Sequence, residues 1–177
     1  MESIYFSYMN TRSHSPATAK PMGHAFSDFV PLIAMMAVVA ALTGLGVYVF
    51  GQDPMLAFMG YFFFIFGALK VIRINGFVEA YRMYDVLAKK SKAYAYTYPF
   101  LELGFGVSYL LAWNVRSVSS VVFVVMLIGA YGVYRKLRQR ETIPCACMGT
   151  VFKIPMTWVT LGEDVLMAIM ALIILIF

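Results

Sequence analysis

The stretch from Phe29 to Phe50 contains no charged residue, and after Gly51-Gln52-Asp53-Pro54 a second apolar run begins at Met55. A helix needs about 20 mainly apolar residues to cross the hydrocarbon core of a bilayer. Two such runs, joined by a turn of Gly, Asp and Pro, predict an antiparallel pair of spanning helices. Composition extends the argument to the whole chain. Of 177 residues, 62% are hydrophobic and 13% charged, and mean hydropathy is +0.77. Soluble domains carry about 25% charged residues, so a soluble globular fold is excluded, as are disordered and collagen-like chains. The fold class is all-α: an integral membrane helical bundle of four to five transmembrane helices.

The spans are expected at about 29–50, 55–78, 98–113, 118–134 and 156–177. Pro99 suits the first turn of the third. Between the second and third spans, Glu79 to Lys92 alternates apolar and charged residues at helical spacing and reads as an interfacial or extended helix. The segment 143–155, bounded by Pro144 and Pro155, is too short to cross and reads as a loop dipping into the interface. Residues 1–28 are polar, with Ser, Thr and Pro between Thr11 and Gly23, and read as a mobile tail before a single domain over 29–177. They hold no apolar run, so no cleaved signal peptide is expected and the first apolar segment stays as an anchor.

The basic residues set the expected topology. Arg12, Lys20, Arg82, Lys89, Lys90, Lys92, Arg135, Lys136, Arg138, Arg140 and Lys153 fall on one side, and Arg116 alone on the other. Basic residues are retained in the cytoplasm. The N-terminus and the loop 143–155 are therefore predicted to be cytoplasmic, in a cell (inner) membrane. The same bias explains the formal net charge of +5, and no interleaved basic and aromatic stripe points to nucleic acid.

Five ionisable residues interrupt the apolar runs: Lys70, Arg73, Glu102, Glu163 and Asp164. Counted from the predicted helix ends, Lys70 and the three acids lie roughly 5–12 Å inside the cytoplasmic boundary. One structural reading is an ion cluster with Lys70 and Arg73 reaching to the headgroups. The functional reading is that these residues line a polar path or tune nearby thiols.

The only two cysteines stand together as Cys145-Ala146-Cys147, next to Met148. A disulfide across one intervening residue closes a very small ring, which suits exchange better than stapling. Nearby Arg140 and Lys153 would favour the thiolate. The same pair could hold a soft metal. With Met148, and with His14, Met22 and His24 of the tail, it would make a route for Cu(I). In a third reading the two cysteines merely pack. No hydrolytic triad, phosphate-cradling loop or zinc-like Cys/His set is present, and no cofactor is expected.

The segment Cys145-Ala146-Cys147-Met148-Gly149-Thr150, followed by Thr157-Trp158-Val159-Thr160 and an acidic residue opening the last helix, resembles the methylamine utilisation protein MauE family. That family is grouped with DoxX-like redox-associated membrane proteins. Tyr98-Pro99-Phe100-Leu101-Glu102-Leu103-Gly104 is similar to its Tyr-Pro-x-x-Glu motif, and Phe77 to Lys89 to the linker before it. The resemblance covers about residues 30–177. It implies a Cys-x-Cys-x-Gly motif at Cys145, Cys147 and Gly149, with Met148 where the family has an aromatic or aliphatic residue. It also implies a part in processing, transport or maturation of an exported, disulfide-rich partner such as the methylamine dehydrogenase small subunit. The expected activity is thiol–disulfide oxidoreductase-like, with Cys145 and Cys147 as the redox pair. Lys70, Arg73, Glu102, Glu163, Asp164 and Gly149 would be supporting residues. The partners are then the lipid bilayer and a thiol–disulfide partner or exported substrate protein; the alternative is a membrane transporter or copper-handling protein. Partner disulfides form outside the cytoplasm, whereas charge places this pair toward it. Electrons crossing the protein, or a loop of longer reach, would reconcile the two.

Overall fold

The computed structural model describes residues 30–139 and 158–177. Among them the regular structure is all helical, with no strand: α1 Val30–Phe50, α2 Pro54–Ile72, α3 Ile74–Tyr84, α4 Val86–Lys90, α5 Lys92–Leu110, α6 Val115–Arg138 and α7 Trp158–Ile176. The tail and the cysteine loop lie outside the described residues. Of these helices α1, α2, α6 and α7 are long and apolar enough to cross a membrane. The chain is thus a multi-pass membrane protein. Ile33, Val38, Leu45, Val124, Leu127, Ile169 and Ile173 are exposed, as expected of side chains that meet lipid rather than water.

Local chemistry explains where the helices begin and end. Gly51 takes φ +63 at the α1–α2 turn. Asp53 then caps α2, its carboxylate accepting from the amides of Met55 at 2.9 Å and Leu56 at 3.1 Å, with Pro54 in the first turn. The expected continuous span over 55–78 is broken at Arg73, whose φ −124 and ψ 47 are not helical. The chain then turns into the short α3. Asp85 ends α3 and caps α4, accepting from Leu87 N at 2.9 Å and Ala88 N at 2.7 Å. The next helix does not wait for Pro99. Ser91 Oγ accepts from Tyr94 N, α5 starts at Lys92, and Pro99 lies inside it. α5 leaves the helical path at Ala112 and Asn114, both with positive φ, and α6 starts at Val115 rather than Val118.

Two helix pairs form the body, α2 with α5 and α6 with α7, and α1 lies against α2. Small residues allow the close approaches, because apolar burial does not drive helices together in lipid. A Cβ on Gly106 of α5 would stand 2.6 Å from the Phe64 amide of α2. A Cβ on Gly132 of α6 would stand 2.8 Å from the carbonyl oxygen of Tyr84, where α3 meets α4. Gly132 therefore lets the α3–α4 junction seat directly on α6. Phe62, Phe63, Phe66, Tyr109, Val122, Met126 and Met167 fill the interior, and Phe62 stacks on Phe66 with centroids 4.4 Å apart.

Candidate functional site

Four of the five ionisable residues singled out in the apolar runs meet at one end of the bundle. α2 brings Lys70 in its last turn, and α5 brings Glu102. They form a buried ion pair in which the ammonium donates to both carboxylate oxygens. Lys70 is 7% exposed and Glu102 3%. The ammonium also lies 5.3 Å from the centre of the Tyr98 ring and 5.6 Å from that of Phe77. Aromatic faces carry partial negative charge, so they stabilise the cation where water cannot.

α7 completes the arrangement. Thr160, Glu163 and Asp164 line the same small cavity as Lys70 and Glu102, and Tyr81, Tyr84 and Tyr98 form much of its remaining wall. Its volume, about 40 Å³, is enough for a water or two and too little for an organic cofactor. Gly129 of α6 faces Asp164: a Cβ there would lie 3.5 Å from Asp164 Oδ2. Among the described residues, no three His, Cys, Asp or Glu side chains are grouped to hold a metal ion. The cavity presents three carboxyl groups and one ammonium, which is chemistry for holding and passing protons.

Glu163 has a second environment. It also lines an apolar groove between α1 and α7, with Leu32, Ile33, Met36, Val159, Gly162 and Leu166. It thus stands between the polar cavity and the lipid-facing side of the bundle.

Arg73 does not join the cluster. It sits exposed at the break between α2 and α3, outside the cavity lining. The break turns the chain after Ile72 and parts Arg73 from Lys70. Cys145, Cys147, Met148 and Gly149 lie outside the described residues, as do Arg140, Lys153, His14, Met22 and His24.

Two features escaped the sequence reading. Tyr98 is buried at 6% exposure and packs its ring against Phe77 and Tyr81. The four-residue spacing of Tyr94 and Tyr98, one helical turn, was the available signal. Asp85 is fully buried and packs beside Gly132, and one of its oxygens caps α4. Burial pushes its carboxyl above the ordinary value, against the pull of the Ala88 and Leu87 amides.

The family model described as methylamine utilisation protein MauE matches residues 52–177, which takes in α2 to α7 and every residue of the cavity. The chain belongs to the MauE family. The match also spans the Cys-x-Cys segment and leaves out α1 and the tail. No curated protein and no solved structure matches the chain.

Proposed function

We propose that this MauE-family chain is a membrane thiol–disulfide exchange protein that assists maturation of an exported, disulfide-containing partner, such as the methylamine dehydrogenase small subunit. One observation carries the reading. The segment holding Cys145 and Cys147 leads directly into α7, and α7 delivers Glu163 and Asp164 to the Lys70–Glu102 cavity. A dithiol and a group of proton-exchanging side chains are therefore joined by a short length of chain.

The exchange balances with one co-reactant, a disulfide-carrying oxidoreductase that re-oxidises the pair. A partner thiolate attacks the Cys145–Cys147 disulfide, forms a mixed disulfide and releases one thiolate of the pair. The second partner thiol then displaces the other. The partner gains a disulfide, and two electrons and two protons pass to the pair. The reverse exchange with a disulfide-carrying oxidoreductase restores it. Glu102, Glu163 and Asp164 would take up or supply the protons, and Lys70 would hold Glu102 in place. Lys89, Lys90, Arg135 and Arg138 lie at the same end as the cavity and Arg116 at the other, which supports a cytoplasmic side for that end; direct attack by an exported partner then relies on the longer reach of the cysteine loop.

The test is thiol trapping with a membrane-impermeant maleimide on intact cells and opened membranes, before and after reduction. Labelling of Cys145 and Cys147 that appears only after reduction is expected, together with loss of partner maturation in Cys145→Ser/Cys147→Ser. Permanently free thiols that added Cu(I) shields would overturn exchange in favour of metal handling. Full partner maturation in the double variant would overturn a role for the pair altogether.

A further inference from the structure

α6 has two faces of opposite character. Ser119, Val122, Met126, Gly129, Ala130 and Val133 are buried against the bundle. At 3.6 residues per turn, Val124, Leu127, Tyr131, Tyr134, Arg135 and Arg138 fall on the other side, and all six are exposed. Along that side the chemistry changes in order, from aliphatic to tyrosine to arginine. From Val124 to Arg138 the rise is about 21 Å, which matches one leaflet of a bilayer whose full thickness with headgroups is about 40–45 Å. Tyr131, Tyr134, Arg135, Arg138 and Gln139 line a concave surface of about 490 Å³ at the basic end. The side chains of Arg135 and Arg138 make no hydrogen bond or ion pair among the described residues.

We propose that this face of α6 is a binding site for one anionic phospholipid. The acyl chains lie along Val124 and Leu127, the tyrosines sit at the glycerol level, and the two guanidinium groups hold the headgroup phosphate. Arginine suits that task because its planar fork of donors matches phosphate oxygens. A soluble acidic partner cannot follow the face into the hydrocarbon. A second copy docked through the same face about a two-fold axis would set the arginines of the two chains against each other. The anionic lipid alone complements both the apolar and the cationic part.

The full chain, purified in neutral detergent, is mixed with phosphatidylglycerol or phosphatidylcholine of the same acyl chains, and bound lipid is counted by native mass spectrometry. One phosphatidylglycerol should be retained in preference to phosphatidylcholine. Arg135→Gln/Arg138→Gln should weaken that retention roughly 30-fold, the sum of two basic contacts at a membrane surface. Lys89→Gln/Lys90→Gln removes the same charge from α4 at the same end and should leave retention unchanged. Equal retention of both lipids would overturn the site. An equal loss in the lysine variant would do the same, since attraction would then be diffuse. A stable dimer that excludes both lipids would assign the face to a second copy instead.

Discussion

The ammonium of Lys70 is paired with both carboxylate oxygens of Glu102 and lies over the rings of Tyr98 and Phe77. Removing one member of a buried pair leaves an uncompensated charge, whereas removing both leaves none. Lys70→Met alone should cost about 3–5 kcal/mol, and Lys70→Met/Glu102→Leu should recover most of that loss. Unfolding in mixed micelles, followed by circular dichroism, measures both. A double variant no more stable than the single one would show that the pair is not the source of the cost.

Gly132 and Gly104 make a matched test of helix approach. A methyl on Gly132 meets the Tyr84 carbonyl, whereas one on Gly104 meets nothing within 4 Å. Gly132→Ala should lose about 1–3 kcal/mol through overpacking. Gly104→Ala should be neutral or gain up to about 1 kcal/mol from helix propensity. Equal effects at the two positions would mean that the α3–α4 junction does not rest on α6 as described.

Asp85 supplies a pH dependence of defined sign. Its carboxyl is raised above the ordinary 3.8 by burial, so at pH between that value and the folded one the folded chain holds a proton that the unfolded chain has released. Its contribution to stability is therefore complete below pH 3.8 and is lost as pH rises through the folded value. Asp85→Asn keeps an oxygen for the amides of Leu87 and Ala88 and cannot ionise. The variant should lose this part of the slope of stability against pH. A slope unchanged from the parent would assign the dependence to other groups.

Tyr109 and Ser119 join α5 to α6 through a buried hydroxyl–hydroxyl hydrogen bond of 2.9 Å. Tyr109→Phe should cost about 0.5–1.5 kcal/mol, and more if Ser119 is left without a partner. Tyr109→Phe/Ser119→Ala should then be more stable than Tyr109→Phe alone. A double-mutant cycle with no coupling would deny the bond any energetic role.

Ala112 holds φ +49 in the α5–α6 connection, a conformation that costs an L residue with a Cβ about 1–2 kcal/mol. Ala112→Gly relieves that strain at an exposed site, and an increase of about 1 kcal/mol in stability is expected. A decrease would mean that the methyl group makes contacts worth more than the strain.

The charged interruptions were legible in the sequence because charge in an apolar run has few benign explanations. Lys70, Glu102, Glu163 and Asp164 could be named, and even their common depth followed from helix rise alone. Arg73 carries the same signal and ends elsewhere. Its fate depends on one non-helical residue between α2 and α3, and no feature of the run Leu69 to Phe77 forces the break there. The burial of Tyr98 was not legible for a related reason. A tyrosine near a predicted span end suits the interface, and only its neighbours on α3 make it interior.

Hydropathy by itself determined that this chain lives in a bilayer as a helical bundle, since unpaired backbone groups cannot be exposed to hydrocarbon. It also determined that a few ionisable groups would need partners there. Only the tertiary structure decided which partners those are. Lys70 and Glu102 meet because glycines let α2 and α5 touch, and Asp164 joins them because α7 packs across the same cavity. Such pairings depend on distances of a few ångströms between helices far apart in sequence. A pattern read along one chain records the depth of each residue but not the direction it faces.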